Sequence, residues 1–461
     1  MAKAVKPKSR YSKSEKLFAD AVKLMPGGVS SPVRSFKSVD ASPVFIKEGK
    51  GARLTDVDGN SYIDYVLSYG PLIAGHCSPT VRAAVAKQID KGSSYGCCTE
   101  LEVKLAGMVA EALPNVPMVR FVSSGTEAVM SALRLARGAT KRDIIVKCAG
   151  GYHGHADSLL VDAGSGATTH GHPSSPGVPE ATTHNTAIVP FNDLGAATEL
   201  FEKIGGKIAC FAVEPICGNI GVIPPVAGYL EGLRALCDKH GALLLFDEVM
   251  TGFRVAWGSA QGLYSVRPDI TCLGKVIGGG LPVGAYGGRA ELMNQIAPAG
   301  PIYQAGTLSG NPLSMAAGIA TLTLLEDPNV YTQLETLSAR LEAGLVDAAR
   351  EAGIAVAVQR VGSMLTPFFL SQAQGASVAA GQSATAQGSG EPVKQVICNY
   401  TDALQCDTQA YGRFFRAMLD GGVMLPPSQF EAWFLSTAHT EGDVDQTIDV
   451  ARVAMRAAKG D

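Results

Sequence analysis

The chain has 461 residues, of which 46% are hydrophobic and 18% charged, with 39 Lys+Arg against 42 Asp+Glu and a net charge of −3. That mixture excludes a mainly disordered or collagen-like chain, and at roughly 150 residues per domain the length needs more than one. The near-balanced charge gives no general pull toward nucleic acid or anionic lipid, and no apolar run approaches the roughly 18–20 residues that cross a bilayer.

The first sixteen residues carry six Lys/Arg and one Glu with no apolar stretch behind them, so no secretory signal is expected. From Pro43 to Tyr65 apolar and polar residues alternate around Glu48-Gly49 and Asp58-Gly59, which predicts short antiparallel strands. After Gly70 the texture changes. Amphipathic periods (TVRAAVAKQI, LEVKLAGMVAEAL) alternate with compact apolar runs: MVRFVSS, DIIVKC, IACFAVEP, ALLLFDE and ITCLGK. Such runs, separated by helices, predict a parallel sheet covered on both faces. A long helical period follows over 330–353, then a mixed C-terminal region. The stretch from Ser371 to Glu391 is built of Ala, Gly, Gln and Ser with no aromatic residue, so a mobile surface insertion is expected there. The expected division is 1–74 as the first segment of a smaller α+β domain, 75–325 as a large sheet domain, and 326–461 as the rest of the smaller one.

Ten cysteines are too dilute for a disulfide scaffold, and Cys210, Cys237 and Cys272 sit in apolar runs as small hydrophobes, which suits a reducing cytoplasm. The pair Cys97-Cys98 has no matching CxxC, and His153 and His155 lack a third ligand, so no metal is expected.

In open α/β sheets, ligands gather outside the carboxyl ends of the strands. The residues ending the apolar runs are therefore the site candidates: Ser123-Ser124-Gly125-Thr126, Tyr152-His153, Glu214, Asp247-Glu248 and Lys275. In SSGTEAVMSALRLARG a strand runs into hydroxyl residues and then a helix, which is either a phosphate cradle or an ordinary N-cap. A P-loop is excluded because no GKS or GKT follows. Asp247 and Lys275 should project from neighbouring strands at one rim, as a structural ion pair or as chemistry. Lys275 is followed by VIGGGLPVGAYGGR, read as a glycine-rich loop that lets a ligand approach. A desolvated lysine becomes nucleophilic toward carbonyls, and beside a phosphate cradle the familiar carbonyl partner is pyridoxal phosphate, whose ring nitrogen the acid would keep protonated.

Together SSGTEA, GYHG, EPICGN, LLLFDEVMTGFR, LGKVIGGGLPVGAYGGR and QAGTLSGNP resemble the class-III pyridoxal-phosphate-dependent aminotransferases. KLMPGGVSSPVRSF, HGHADSLLVDAGSGA, SSPGVP and SQFEAWFLSTAHT narrow the resemblance to an aminomutase branch of that family. The resemblance implies a fold type I large domain with a mainly parallel seven-stranded sheet, plus a smaller α+β domain from both chain ends. It implies that Lys275 is joined covalently to the cofactor and shuttles protons, and that Asp247 pairs with the ring nitrogen. Ser124, Gly125 and Thr126 would hold the phosphate, Tyr152 would stack on the ring, and Glu214 and Asn219 would support it. Thr307 would reach the phosphate in a partner subunit, giving a homodimer with shared sites. Ser31 and Arg34 would take the substrate carboxylate, with Tyr69 at the same pocket and Glu431 a catalytic-pocket residue. The implied reaction moves an amino group within one small molecule, from (S)-4-amino-5-oxopentanoate to 5-aminolevulinate. An ordinary transfer between an amine or amino acid and a keto acid is the alternative. Two positions depart from the family pattern, Tyr69 in SYGP where Trp is usual and Ala149 where an acid is usual. The segment from Ala163 to Pro179, rich in Gly, Ser, Thr and Pro, suits a moving lid or a plain surface loop.

Overall fold

The computed structural model describes residues 9–162, 172–379, 384–386 and 393–460. Its central sheet has seven strands, in the order Met118–Val122, Gly284–Gly288, Ile270–Gly274, Leu243–Glu248, Ile208–Val213, Ile144–Cys148 and Thr186–Val189. All run the same way except Gly284–Gly288, which is antiparallel to both its neighbours. Successive side chains on a strand point to opposite faces. Accordingly Leu244 and Phe246 pack with Phe211 and Val213 in one layer, while Leu245 packs with Cys210 and Ala212 in the other. Both faces are buried, which is why these runs read as continuously apolar.

The helix Gly125–Thr140 covers one face because its sequence starts and patterns it. Ser124 caps it by accepting the Glu127 N–H at 3.2 Å, and Ala128, Val129, Ala132, Leu133, Leu135 and Ala136 form its buried stripe. The helices Leu194–Ile204 and Tyr229–His240 put Leu200, Phe201, Leu230 and Leu233 against the other face.

Two of the seven strands differ from the sequence expectation. Thr186–Val189 is a fully buried edge strand that the reading of apolar runs passed over. Gly284–Gly288 lies in the stretch expected to be a glycine-rich loop, and that loop ends at Val283. The reason is steric. A Cβ at Gly284 would run into the Ser124 carbonyl, at Gly287 it would come within 2.6 Å of the Met118 carbonyl, and at Gly288 it would meet the Asp269 carbonyl. These glycines serve close strand packing, a role that leaves no apolar signature.

A second sheet joins the two ends of the chain. Ile46–Lys50, Arg53–Asp56 and Ser61–Asp64 are antiparallel, and Val423–Met424 adds in parallel to Ser61–Asp64. Val356–Val361, Met364–Phe369 and Trp433–Phe434 form a third sheet. The helices Pro328–Ala352, Thr408–Asp420 and Glu441–Ala458 close over them, with Leu341, Leu345, Phe414, Met418 and Ile448 in one core with Ile63 and Leu365. Asp327 caps the first of these helices, Pro328 opens it and Gly353 ends it at φ 65°. Within the expected insertion, Gln372–Ala379 is helical, anchored by Gln374 donating to the Asp402 carbonyl at 2.8 Å. Ala384–Ala386 pairs with Val393–Gln395, and residues 380–383 and 387–392 lie outside the described part. Of the expected lid, residues 163–171 likewise lie outside it. Among the described residues no helix is long and apolar enough to cross a membrane.

Candidate active site

The common strand direction brings every run-ending residue to one rim. A cavity of about 450 Å³ there is lined by Ser123, Ser124, Gly125, Thr126, Tyr152, Glu214, Asn219, Asp247 and Lys275, with Pro71, Val249 and the 280–283 segment completing its wall. Lys275 follows the last residue of its strand with φ 44°, a left-handed backbone that a non-glycine residue rarely adopts. Burial pushes its amine down from the ordinary value of 10.5, while Glu431, Glu214 and Asp247 pull it back up. An amine shifted that way gives up its proton, and becomes a nucleophile, more readily than a solvated lysine.

Asp247 closes one end of the cavity and is 5% exposed. Its carboxylate accepts from His153 Nδ1 at 2.7 Å and from the Val249 N–H at 3.1 Å. Against a carboxylate Nδ1 is the donor, and among the described residues the buried Nε2 has no hydrogen-bond partner. His153 therefore serves Asp247, and its proximity to His155 in sequence is incidental to this contact. Glu214 sits beside the pair, accepting from the N–H groups of Tyr152 at 3.1 Å and Gly218 at 3.1 Å and from the Asn219 amide at 2.9 Å. Burial raises its carboxyl, His153 opposes that rise, and Asp247 adds to it.

At the other end, the first N–H groups of the Gly125–Thr140 helix have no intrahelical acceptor, and the positive end of the helix dipole faces the same region. Space there depends on glycine: a Cβ at Gly125 would come within 2.8 Å of the Val249 side chain, and one at Gly154 within 2.6 Å of Thr126 Oγ1. Burial raises the Tyr152 hydroxyl and Thr126 opposes that rise, and Tyr152 is 52% exposed at the mouth. A cradle for an anion, a buried carboxylate opposite it and a buried amine on the wall fit a flat, phosphorylated heterocycle bearing a carbonyl. Pyridoxal phosphate has those features.

The profile described as Aminotransferase class-III matches residues 35–394. The chain belongs to the class-III aminotransferases. A relative from Brevibacillus brevis named glutamate-1-semialdehyde 2,1-aminomutase 2 is 54% identical over 97% of this chain and 99% of its own. One from Roseiflexus castenholzii named glutamate-1-semialdehyde 2,1-aminomutase is 55% identical over 96% and 97%. Among solved structures, an omega-transaminase from Sphaerobacter thermophilus superposes with a TM-score of 0.86 at 31% identity, over 97% of this chain and 98% of that one. A glutamate-1-semialdehyde-aminomutase from Pseudomonas aeruginosa PAO1 in complex with PMP gives 0.83 at 25% identity, over 97% and 95%.

In this class-III aminotransferase the other sequence candidates are more scattered. Tyr69 and Glu431 do not line the cavity, though Glu431 acts electrostatically on Lys275 and Tyr152 in its wall. Burial pushes the Glu431 carboxyl up to about 7, with Lys275 opposing and Glu214 reinforcing. Burial also raises the Tyr69 hydroxyl, Glu431 adds to the rise and Arg34 counters it. Arg34 is exposed on the short turn Pro32–Ser35, with Ser31 at its start. Thr307 is exposed in the 304–311 loop, away from the cavity of its own chain. The sequence named His153 as a run-ending candidate but not its contact with Asp247, and it passed over Arg254 of TGFR, which is wholly buried with its head group against the Gly70 carbonyl.

Proposed function

We propose that this class-III aminotransferase is a pyridoxal-phosphate-dependent glutamate-1-semialdehyde 2,1-aminomutase. It isomerises (S)-4-amino-5-oxopentanoate to 5-aminolevulinate for tetrapyrrole synthesis. The observation that carries this reaction over others of the family is identity of 52–55% to relatives of that name across nearly the whole chain. The likeness to the transaminase from Sphaerobacter thermophilus, at 31% identity, supports the shared fold.

Pyridoxal phosphate, when bound, supplies an electron-withdrawing ring and an aldehyde that can take up and return an amino group. Ser124, Gly125 and Thr126 would hold its phosphate at the helix start, and Thr307 of a second subunit would reach the same phosphate, making the working unit a homodimer. Asp247 keeps a proton at the ring nitrogen, and His153 fixes the orientation of that carboxylate at 2.7 Å. Tyr152 would pack against the ring, and Glu214 with Asn219 would hold its polar surroundings. Lys275 would hold the cofactor through its amine and carry protons to and from the substrate carbons. Glu431, poised at about 7 beside it, can take and return a proton at neutral pH. Ser31 and Arg34 take the substrate carboxylate, and Tyr69 borders the same end. The ionic balance and buried free thiols suit the cytoplasm.

The test is incubation of the cofactor-loaded protein with the semialdehyde alone. Accumulation of 5-aminolevulinate with no added amino donor or acceptor is expected. A strict requirement for an added keto acid overturns the proposal in favour of transfer between two molecules.

A further inference from the structure

Next to the cavity, three consecutive non-glycine residues are left-handed: Leu67 at φ 43°, Ser68 at 59° and Tyr69 at 65°, followed by Gly70 at 112°. L-residues rarely adopt this conformation, and a run of them persists only where the surroundings enforce it. One restraint is local. The Asp64 carboxylate accepts the Val66 N–H at 2.8 Å and the Leu67 N–H at 3.2 Å. The other comes from far along the chain, where the Arg254 guanidinium donates to the Gly70 carbonyl.

Arg254 also donates to the Leu435 carbonyl at 2.7 Å and to Ser363 Oγ at 3.2 Å, and its head group lies 5.4 Å over the Phe434 ring. It is 0% exposed and makes no ion pair among the described residues. Placing a guanidinium in the interior without an acid is unfavourable, and an apolar side chain of similar length would fill the same space at lower cost. The charge is therefore explained by what it holds. Gly70 lies directly against this cluster, since a Cβ there would meet Phe434 at 3.2 Å and the Lys275 stem at 3.5 Å. The backbone behind Arg254 is itself fixed to the strand that carries Asp247: its N–H reaches the Thr251 carbonyl at 3.0 Å, and Thr251 Oγ1 donates to Glu248 at 2.8 Å.

We propose that Arg254 is a positioning residue that sets where Tyr69 stands at the substrate end of the site. It does so by clamping the left-handed turn 67–70 to the strand Trp433–Phe434 and to the loop after Asp247. This deepens the function proposed above and rests on it for the identity of the substrate, but the clamp itself is a property of the fold. Its charge has a second consequence, a small push that lowers the Lys275 amine further.

Two variants test it. Arg254→Met removes the charge, and Arg254→Lys keeps the charge but loses the planar fork that reaches two carbonyls at once. With Arg254→Lys, KM for the semialdehyde should rise about tenfold, the scale of one charge-assisted hydrogen bond, while kcat and pyridoxal phosphate affinity change by less than about threefold. Amide hydrogen exchange of residues 67–70 should quicken while that of the strand Ile208–Val213 stays as in the parent. Tyr69→Phe combined with Arg254→Lys should raise KM no more than the larger single effect, because both act through one turn. Unchanged exchange at 67–70, exchange that quickens uniformly through the molecule, or KM effects that multiply independently would each overturn the proposal. If Arg254→Met fails to fold, Arg254→Lys decides alone. The exchange measurement needs no substrate, so it still decides should the parent protein prove inactive on the semialdehyde.

Discussion

Asp247 owes its setting to a residue 94 positions away in sequence. Its carboxylate is buried, and His153 supplies one of the two hydrogen bonds it accepts among the described residues, so deleting that imidazole leaves a buried acceptor short of a donor. His153→Ala should weaken pyridoxal phosphate binding about 10- to 100-fold, the scale of a lost hydrogen bond to a charged group. Titration of the cofactor-free protein measures this, and His153→Asn, which retains an N–H, should recover part of the loss. Glu431 gives a prediction in pH. Its carboxyl lies at about 7 in the folded protein against an ordinary value of 4.5, so the folded state binds the extra proton between those values. The stabilising contribution of the protonated acid is present at low pH and is lost as pH rises from about 4.5 through about 7. Denaturant unfolding of the cofactor-free protein should show Glu431→Gln gaining stability relative to the parent across that window, and a gap independent of pH would contradict the assignment.

At the scale of elements, one glycine strand ties the sheet to the anion cradle. Gly284 packs against the Ser124 carbonyl, so a methyl group there must displace the backbone just before the Gly125–Thr140 helix. Gly284→Ala should destabilise the protein by about 1–3 kcal/mol through overpacking. It should also weaken cofactor binding, because the helix start moves with Ser124. The contrast is Gly107, exposed within the helix Glu100–Ala112 and with nothing near its Cβ position. Gly107→Ala should stabilise by about 0.5–1 kcal/mol, the helix-propensity difference between the two residues. Equilibrium unfolding of both variants separates the packing effect from the intrinsic preference.

At the scale of the molecule, Thr307 does not line the cavity of its own chain and is exposed in the 304–311 loop, near Tyr303 at 72% and Leu308 at 55% exposure. In a homodimer sharing its sites, a subunit with Lys275→Ala and one with Thr307→Val each spoil a different component of the same active site, and the other site of the mixed dimer is intact. Random co-assembly of two inactive variants should therefore restore about a quarter of the parent activity, since about half the dimers are mixed and each has one whole site. Failure to recover activity, with mixed dimers demonstrably formed, would place Thr307 outside the partner's site.

The sequence by itself determined the sheet-and-helix layering and the chemistry of its rim. Apolar runs ending in Ser124, Glu214, Asp247 and Lys275 are legible because a parallel sheet sends every such ending to the same edge. Local pattern also marked the caps and stops of the long helices, through Asp327, Pro328 and Gly353. It could not separate a glycine that frees a loop from one that packs a strand, so Gly284–Gly288 was hidden until its neighbours were in place. Nor could it show that His153 turns to Asp247, or that Arg254 spans to Gly70 and Leu435. Those bonds join residues about 90 or more positions apart, and no local periodicity encodes a partner that only the packing of separate layers brings within reach.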